Sequence, residues 1–209
     1  MITHLSEQIG HPDVAVITEP CARGTIHQYQ KEMDGITLRW GDFVIDDGDG
    51  LEQQINGSAD LGGCSMHCGF CASAGKSDYS TLTGHEIADQ FLLARRHVLL
   101  AQQCGWSGGL LGEGENSDDP GAVSGAIDEI AQWSDLPRSF LISTTGKDCN
   151  HFLDRLANVA RKLPAGVLKL QVSTTSTDPA FESDGCRIPL PFGSFSLQPK
   201  TLRNGPGRG

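Results

Sequence analysis

Aromatic and cationic residues are both scarce in this sequence. Aromatic residues make up 6% of the 209 residues and apolar residues 38%, which allows only a modest core. The 16 Lys and Arg residues are outnumbered by 26 Asp and Glu residues, so the formal net charge is −10. Such an excess of negative charge disfavours broad binding to the phosphate backbone of nucleic acids. No run of apolar residues approaches the roughly 20 that a membrane-spanning helix needs.

The N-terminus and the cysteine content bear on the cellular compartment. Residues 1–11 are mostly polar and contain no apolar segment of the length found in signal peptides. The seven cysteines are odd in number, and only three of them cluster. A secreted disulfide framework normally has an even number of cysteines in a shorter chain. We therefore expect a soluble, cytoplasmic protein with reduced thiols.

Three cysteines, Cys64, Cys68 and Cys71, lie within eight residues at the spacing C-x3-C-x2-C. Thiolates are the soft ligands that hold iron–sulfur clusters. Gly62 and Gly69 allow the backbone to curl into the tight loop that three ligands around one cluster require. Because three protein ligands leave one of four irons open, the spacing predicts a [4Fe–4S] cluster with a vacant coordination position.

Two other interpretations of these cysteines stay open. A structural zinc site needs four ligands, so it would have to recruit His67 or a distant cysteine. The other interpretation is a chance grouping of three buried thiols, although free cysteines of a protein core rarely lie so close together in sequence.

Strand and helix patterns alternate from residue 83 onward. Helices are predicted to begin at Thr83, Asp119 and Asp148, where a capping residue precedes apolar residues at helical spacing. The predicted inward-facing helical residues are Ile87, Phe91, Ala94, Val98, Val123, Ile127, Ile130, Leu153, Leu156, Ala160 and Leu163. Buried strands are predicted just before Cys64 and near residues 108, 140 and 168.

This alternation predicts parallel β/α units with right-handed crossovers. Four such strands are too few for a closed barrel of eight, so the expected fold is α/β, a partial, open (β/α) barrel. We expect residues 51–190 to form this barrel and residues 1–50 to form a short β-rich N-terminal extension. Residues 191–209 lose all periodicity, and we expect them to be disordered.

The cysteine motif resembles the signature of the radical S-adenosylmethionine superfamily, which has an aromatic residue, here Phe70, before the last cysteine. Within that superfamily the chain is most similar to the RNA adenine-C2 methyltransferases. The similarity extends over roughly residues 55–190. Its short segments are Gly63 to Ala72, residues 82–87, Gly112-Glu113-Gly114-Glu115, residues 143–146 and residues 170–173. Asn116 stands where the family has proline.

The resemblance implies that S-adenosylmethionine binds the open iron of a [4Fe–4S] cluster and is split by an electron from it. It also implies an electron donor such as flavodoxin or ferredoxin, and it makes RNA a candidate substrate. The positions that match the family's cofactor-binding residues are Phe70, Gly112, Gly114, Glu115, Ser143 and Ser173. Each of these matches also has an ordinary structural interpretation, as a loop-packing aromatic, a turn or a helix cap.

The chain departs from the family at positions used in methyl transfer. Gly57 stands where the family has a second functional cysteine, and Thr175 stands where it has histidine. The sequence around Cys186 does not resemble the family's methyl-carrier loop. We therefore expect a radical S-adenosylmethionine enzyme whose methyl-transfer step is absent, with no catalytic residue assigned. The alternatives are radical chemistry on a small molecule or peptide, and a shortened, non-catalytic iron–sulfur protein.

Overall fold

The computed structural model describes residues 2–4, 11, 13–46, 48, 50–66, 68, 71–73, 79–101, 104–146 and 149–173. The strands in these ranges are β1 (Ile2–His4), β2 (Val14–Cys21), β3 (Gly24–Met33), β4 (Ile36–Asp46), β5 (Leu51–Gly57), β6 (Asp60–Leu61), β7 (Ser80–Thr81), β8 (Gly105–Leu110), β9 (Phe140–Thr144) and β10 (Leu168–Val172). The helices are α1 (Gly84–Ala101), α2 (Pro120–Ile130) and α3 (Cys149–Ala160). No helix in the described part of the chain is long and apolar enough to cross a membrane.

One mixed sheet of eight strands, in the order β1-β2-β3-β4-β5-β8-β9-β10, forms the centre of the fold. Strands β1 to β5 pair antiparallel with their neighbours, whereas β5, β8, β9 and β10 are parallel. The expected α/β class and the four predicted parallel strands are confirmed. Closure of these strands into a partial barrel stays a prediction, as does the boundary at residue 50.

The first two helices begin and pack as their sequences predict. Thr83 and Glu86 form a capping box, in which the Thr83 backbone N–H donates to Glu86 Oε2 (2.8 Å) and the Glu86 backbone N–H to Thr83 Oγ1 (3.3 Å). Asp119 caps α2 by accepting from the backbone N–H of Ala122 at 2.8 Å. The inward stripes predicted for α1 and α2 are buried.

Two of the four inward-facing residues predicted for α3 are correct, and the other two were predicted one residue too late in the chain. Leu156 and Leu163 are buried as expected, but Leu153 and Ala160 are only half-buried. The buried positions beside them are Phe152 and Val159. The predicted positions 153, 156, 160 and 163 and the buried positions 152, 156, 159 and 163 are both spaced by three or four residues. Helical spacing alone therefore did not decide between the two sets. Asp148, the expected cap of this helix, lies outside the described residues.

A bulky ring holds α1 against the parallel strands. Phe91 is fully buried and lies directly over Gly57 of β5 and Gly108 of β8. Its ring centroid is 4.9 Å from that of Phe140 on β9. A β-carbon on either glycine would approach Phe91 or Phe140 to 2.9 Å or less. The absence of side chains at these two positions lets the helix sit close to the sheet.

Candidate functional site

The residues singled out from the sequence gather at one edge of the sheet. Because β5, β8, β9 and β10 are parallel, their carboxyl ends meet there. Residues 58–60 follow β5, residues 111–115 follow β8, and Ser143 and Ser173 lie at the ends of β9 and β10. Open α/β sheets bind their ligands outside the carboxyl ends of the strands.

The glycine-rich turn after β8 is fastened to the segment after β5. Backbone N–H groups of Gly112 and Glu113 donate to Gly57 O (2.9 Å) and Ser58 Oγ (3.0 Å). In return, the backbone N–H of Ala59 donates to Glu113 O at 2.9 Å. These bonds hold the turn as an extension of the sheet rather than as a free loop.

The two glycines of this turn are required by its geometry. Gly114 has a φ of +111°, which residues with a side chain rarely adopt, and a β-carbon there would lie 2.7 Å from the backbone nitrogen of Asp60. A β-carbon on Gly112 would lie 2.4 Å from Ser58 Oγ. The turn therefore presents backbone rather than side chains at these two positions.

Glu115, expected to bind the cofactor, has a buried carboxylate that accepts hydrogen bonds from protein donors in this structure. The residue is 4% exposed. Its carboxylate accepts from the backbone N–H and hydroxyl of Ser117 (3.0 and 2.9 Å) and from the hydroxyl of Thr144. It also accepts from the backbone N–H and hydroxyl of Thr145 (2.9 and 2.8 Å). A carboxylate has about four lone-pair sites, so these five donors occupy it fully.

Asn116 occupies the position where the family resembled by the sequence has proline. Its Nδ2 donates to the carbonyls of Leu110 (3.1 Å) and Ser143 (2.5 Å), which end β8 and β9. Asparagine can make these bonds because it carries two N–H donors, which proline lacks. The departure from the family pattern therefore adds a tie between the two strand ends.

The structure brings together the two serines predicted to contact the cofactor. Their hydroxyl oxygens lie 3.3 Å apart at the rim of the sheet. The Ser173 backbone N–H donates to Thr144 O at 2.7 Å, which continues the β9–β10 pairing beyond the last strand residue. Both hydroxyls can donate and accept hydrogen bonds to a polar ligand at the rim.

The three motif cysteines lie on the loop between β6 and β7, and all are free. Cys64 and Cys68 are half-buried, whereas Cys71 is exposed. The backbone N–H of Cys71 donates to Cys68 O at 2.9 Å, closing a turn. Among the described residues, no three His, Cys, Asp or Glu side chains are grouped closely enough to hold a metal ion. The loop therefore carries three thiols within eight residues of the sequence, and in this structure they do not form one coordination sphere.

A hydrogen bond connects this loop to the glycine-rich turn. The hydroxyl of Ser65, next to the first cysteine, donates to the carboxylate of Asp118. Asp118 lies three residues beyond Glu115, and its backbone N–H donates to Glu115 O at 2.9 Å. The cysteine motif and the turn thus occupy the same part of the molecule. Phe70, also expected at this site, lies outside the described residues, as do Thr175 and Cys186.

Carboxylates give the site a negative character. The pKa of Asp60 is raised to about 6, mainly by burial and further by the negative charges of Asp118, Glu115 and Asp119. A hydrogen bond from the Glu115 backbone N–H lowers this pKa and opposes part of the increase. Burial also raises the pKa of the Cys64 thiol, and the nearby Asp60 and Glu115 charges act in the same direction. A cation bound near Cys64 would therefore relieve electrostatic repulsion and favour the thiolate.

Comparison with known proteins adds little at this similarity. No protein-family model and no curated protein matches the sequence. Among solved structures, a radical SAM methyltransferase from Sphaerobacter thermophilus aligns with a TM-score of 0.46 and 12% sequence identity. The alignment covers 80% of this chain and 60% of that one, so this chain spans less than two thirds of its length. We transfer no property of that protein to this chain. Fold and site together define an α/β protein with a polar, cysteine-bearing edge at the ends of its parallel strands.

Sequence reasoning missed the residues that hold this edge together. Ser58 and Asp60 tie the β5 end to the glycine-rich turn, and Gln90 of α1 fixes Ser58. Thr144 and Thr145 were recognised as part of a similar segment but not as partners of Glu115. Their common signal, a small polar residue just after a buried strand, is present in the sequence but does not identify a partner that lies about 30 residues away.

Proposed function

We propose that this protein is a radical S-adenosylmethionine enzyme that binds a [4Fe–4S] cluster through Cys64, Cys68 and Cys71. The proposal rests mainly on one observation, the link between Ser65 in the cysteine motif and Asp118 beside the glycine-rich turn. That link puts a three-thiol loop next to a turn with exposed backbone at the carboxyl edge of a parallel sheet. The donor set fits the cluster chemically, since three free thiols can each supply a thiolate.

When bound, the cluster supplies an electron to S-adenosylmethionine, and the chain's own residues bind and orient that cofactor. Gly112 and Gly114 let the turn pack closely on Ser58 and Asp60, which places the turn backbone at the edge where the cofactor would bind. Ser143 and Ser173 offer paired hydroxyls for its ribose or carboxylate oxygens. Glu115 has its carboxylate lone pairs filled in this arrangement, so we assign it to shaping the turn rather than to holding the cofactor amine.

Methyl transfer to RNA adenine is not part of the proposed function. The structure gives a physical reason at Gly57, where the resembled family has a cysteine. A β-carbon added at Gly57 would lie 2.7 Å from the Phe91 ring, so the position has no room for a thiol side chain. The net charge of −10 also opposes broad contact with RNA. Cleavage of S-adenosylmethionine in support of chemistry on a smaller substrate agrees better with both observations.

Anaerobic reconstitution with iron and sulfide tests the metal assignment. The protein should take up about four irons per chain. Cys64→Ala, Cys68→Ala and Cys71→Ala should each abolish this uptake, and Cys21→Ala should leave it unchanged. Stoichiometric zinc without iron uptake would show that the thiols form a zinc site instead.

Product analysis tests the activity separately from the metal. The reconstituted protein, given a reductant and S-adenosylmethionine, should release 5′-deoxyadenosine. A protein that holds the cluster but releases none would be the non-catalytic iron–sulfur protein. Incubation with unmodified RNA and methyl-labelled S-adenosylmethionine should leave adenine unlabelled, and label in C2-methyladenosine would contradict the exclusion of methyl transfer.

A further inference from the structure

A second polar cluster lies beneath the carboxyl-terminal half of α1. Asp42 of β4 is 0% exposed and accepts three hydrogen bonds. The donors are His27 Nδ1 at 2.6 Å, the Tyr29 hydroxyl at 2.9 Å and Gln53 Nε2 at 2.6 Å. The Tyr29 oxygen also lies 2.9 Å from Nδ1 of His97 on α1. Cys64, Cys68, Cys71 and the carboxyl ends of the parallel strands take no part in these bonds, so the cluster is separate from the site described above.

These bonds fix the position of the ring proton on both histidines. The Asp42 carboxylate can only accept, so His27 donates from Nδ1. Tyr29 gives its one hydroxyl proton to Asp42, which leaves its oxygen as an acceptor for His97. His97 therefore also carries its proton on Nδ1. In the neutral form, both imidazoles present the lone pair on Nε2.

The imidazole rings of His27 and His97 lie next to each other. Neither Nε2 atom has a hydrogen-bond partner among the described residues, and neither is among the fully buried polar atoms that lack one, although His27 as a whole is only 8% exposed. The ring centroids of His27 and His97 are 4.8 Å apart, with an interplanar angle of 75°. Two imidazoles that bind one zinc ion at about 2.0–2.1 Å and a roughly tetrahedral angle have centroids about 5 Å apart.

We propose that Nε2 of His27 and Nε2 of His97 bind a divalent transition-metal ion of the zinc type, with water completing its coordination. Imidazole nitrogen suits such ions. Metal-ligating histidines usually donate their other ring nitrogen to a carboxylate or similar acceptor, and here Asp42 and Tyr29 supply these second partners.

The site would join α1 to the N-terminal strands, because one ligand lies on α1 and the other on β3. The same helix carries Gln90, two turns before His97 on the chain, and Gln90 fixes the end of β5. Metal binding would thus hold the helix that supports the site at the strand ends. The proposal itself does not depend on what that site binds.

Nuclear magnetic resonance of protein labelled with ¹⁵N at histidine tests the site directly. Long-range ¹H–¹⁵N spectra should place the proton of both rings on Nδ1 before metal is added. Titration with Zn²⁺ should then shift the Nε2 signals of His27 and His97 together and leave the exposed His85 unchanged. Zinc taken up by thiols does not interfere, because the readout is at the imidazoles. If Zn²⁺ shifts neither signal, or only one of them, the proposal is wrong.

Tyr29→Phe tests the role of the second partner without removing a ligand. The ring centroids of Tyr29 and Trp40 are 5.3 Å apart, and the phenyl ring of the variant can keep this stacking. Loss of the hydroxyl frees the tautomer of His97 and should weaken zinc binding about tenfold, as for other outer-shell partners. His85→Gln is the matched control and should bind zinc at these imidazoles with unchanged affinity. Equal affinity in Tyr29→Phe and the unaltered protein would contradict the proposed arrangement.

Discussion

Gln90 and Ser58 form a reciprocal pair of hydrogen bonds between a helix and a strand end. The Ser58 backbone N–H donates to Gln90 Oε1 at 2.8 Å, and Gln90 Nε2 donates to Ser58 O at 2.9 Å. Both residues are 1% exposed. Since Ser58 Oγ in turn accepts from the Glu113 backbone, the helix positions the glycine-rich turn through this one pair.

Gln90→Ala should therefore lower the free energy of unfolding by about 2–4 kcal/mol, because it leaves two buried backbone groups of Ser58 without partners. Urea denaturation measures this. The control is Gln132→Ala, since Gln132 is exposed after α2 and its side chain donates only to Asp128 O among the described residues. That change should stay within about 0.5 kcal/mol. Equal losses of unfolding free energy in the two variants would contradict a stabilising role of the Gln90–Ser58 hydrogen bonds.

Glu115→Ala should destabilise the fold by about 3–5 kcal/mol, because it leaves the buried donors of Ser117, Thr144 and Thr145 unpaired. The exposed Glu32→Ala, which loses a bond to Thr37, is the matched control and should change stability by less than about 1 kcal/mol. Urea denaturation of both variants shows whether Glu115 stabilises the fold. A stable Glu115→Ala protein that binds S-adenosylmethionine poorly would assign Glu115 to the cofactor instead.

Gly57→Cys should lower stability by about 1–3 kcal/mol, because the new side chain overpacks against the Phe91 ring. A smaller residue at position 91 should recover part of that loss. We therefore expect Phe91→Leu to be less harmful in the Gly57→Cys protein than in the unaltered one. A double-mutant cycle measures this coupling. Additive effects of the two substitutions would mean that the side chains at positions 57 and 91 do not compete for the same space.

Asp60→Asn should become more stable relative to the unaltered protein as the pH rises from about 4 to about 6. Folding raises the pKa of Asp60 from its ordinary 3.8 to about 6, so the folded state holds this proton more tightly than the unfolded state. Stability from this group is thus present below the unfolded pKa and is lost as pH rises through the folded one. Denaturation of both proteins at several pH values gives the difference. A difference independent of pH would contradict the raised pKa.

The sequence predicted which residues lie at the strand ends because that information is local. Apolar runs and capping residues placed four parallel strands and three helices, whereas Ser143 and Ser173 were named through the resemblance to a family. The parallel pairing of β9 and β10 brings their hydroxyls to 3.3 Å from each other. Local patterns suffice when chain direction and strand order determine proximity.

The hydrogen-bond partners of Glu115 were not predictable in the same way. Its partners Thr144 and Thr145 follow a different strand, and no local pattern records which carboxylate they bond. In α3, Phe152 and Val159 are buried where Leu153 and Ala160 were expected, since both sets fit a helical stripe. Long-range contacts decided each case, and propensity and spacing do not encode them.

The pairing of β4 with β5 limits how the sheet can grow. β5 has β4 on one side and β8 on the other, so both of its edges already have hydrogen-bonded neighbours. In a closed (β/α) barrel, the first parallel strand receives the last one on its open edge. Here that edge is filled by an antiparallel strand from the N-terminal segment. Additional parallel strands could therefore extend the sheet beyond β10, but they could not complete a ring through β5 without displacing β4.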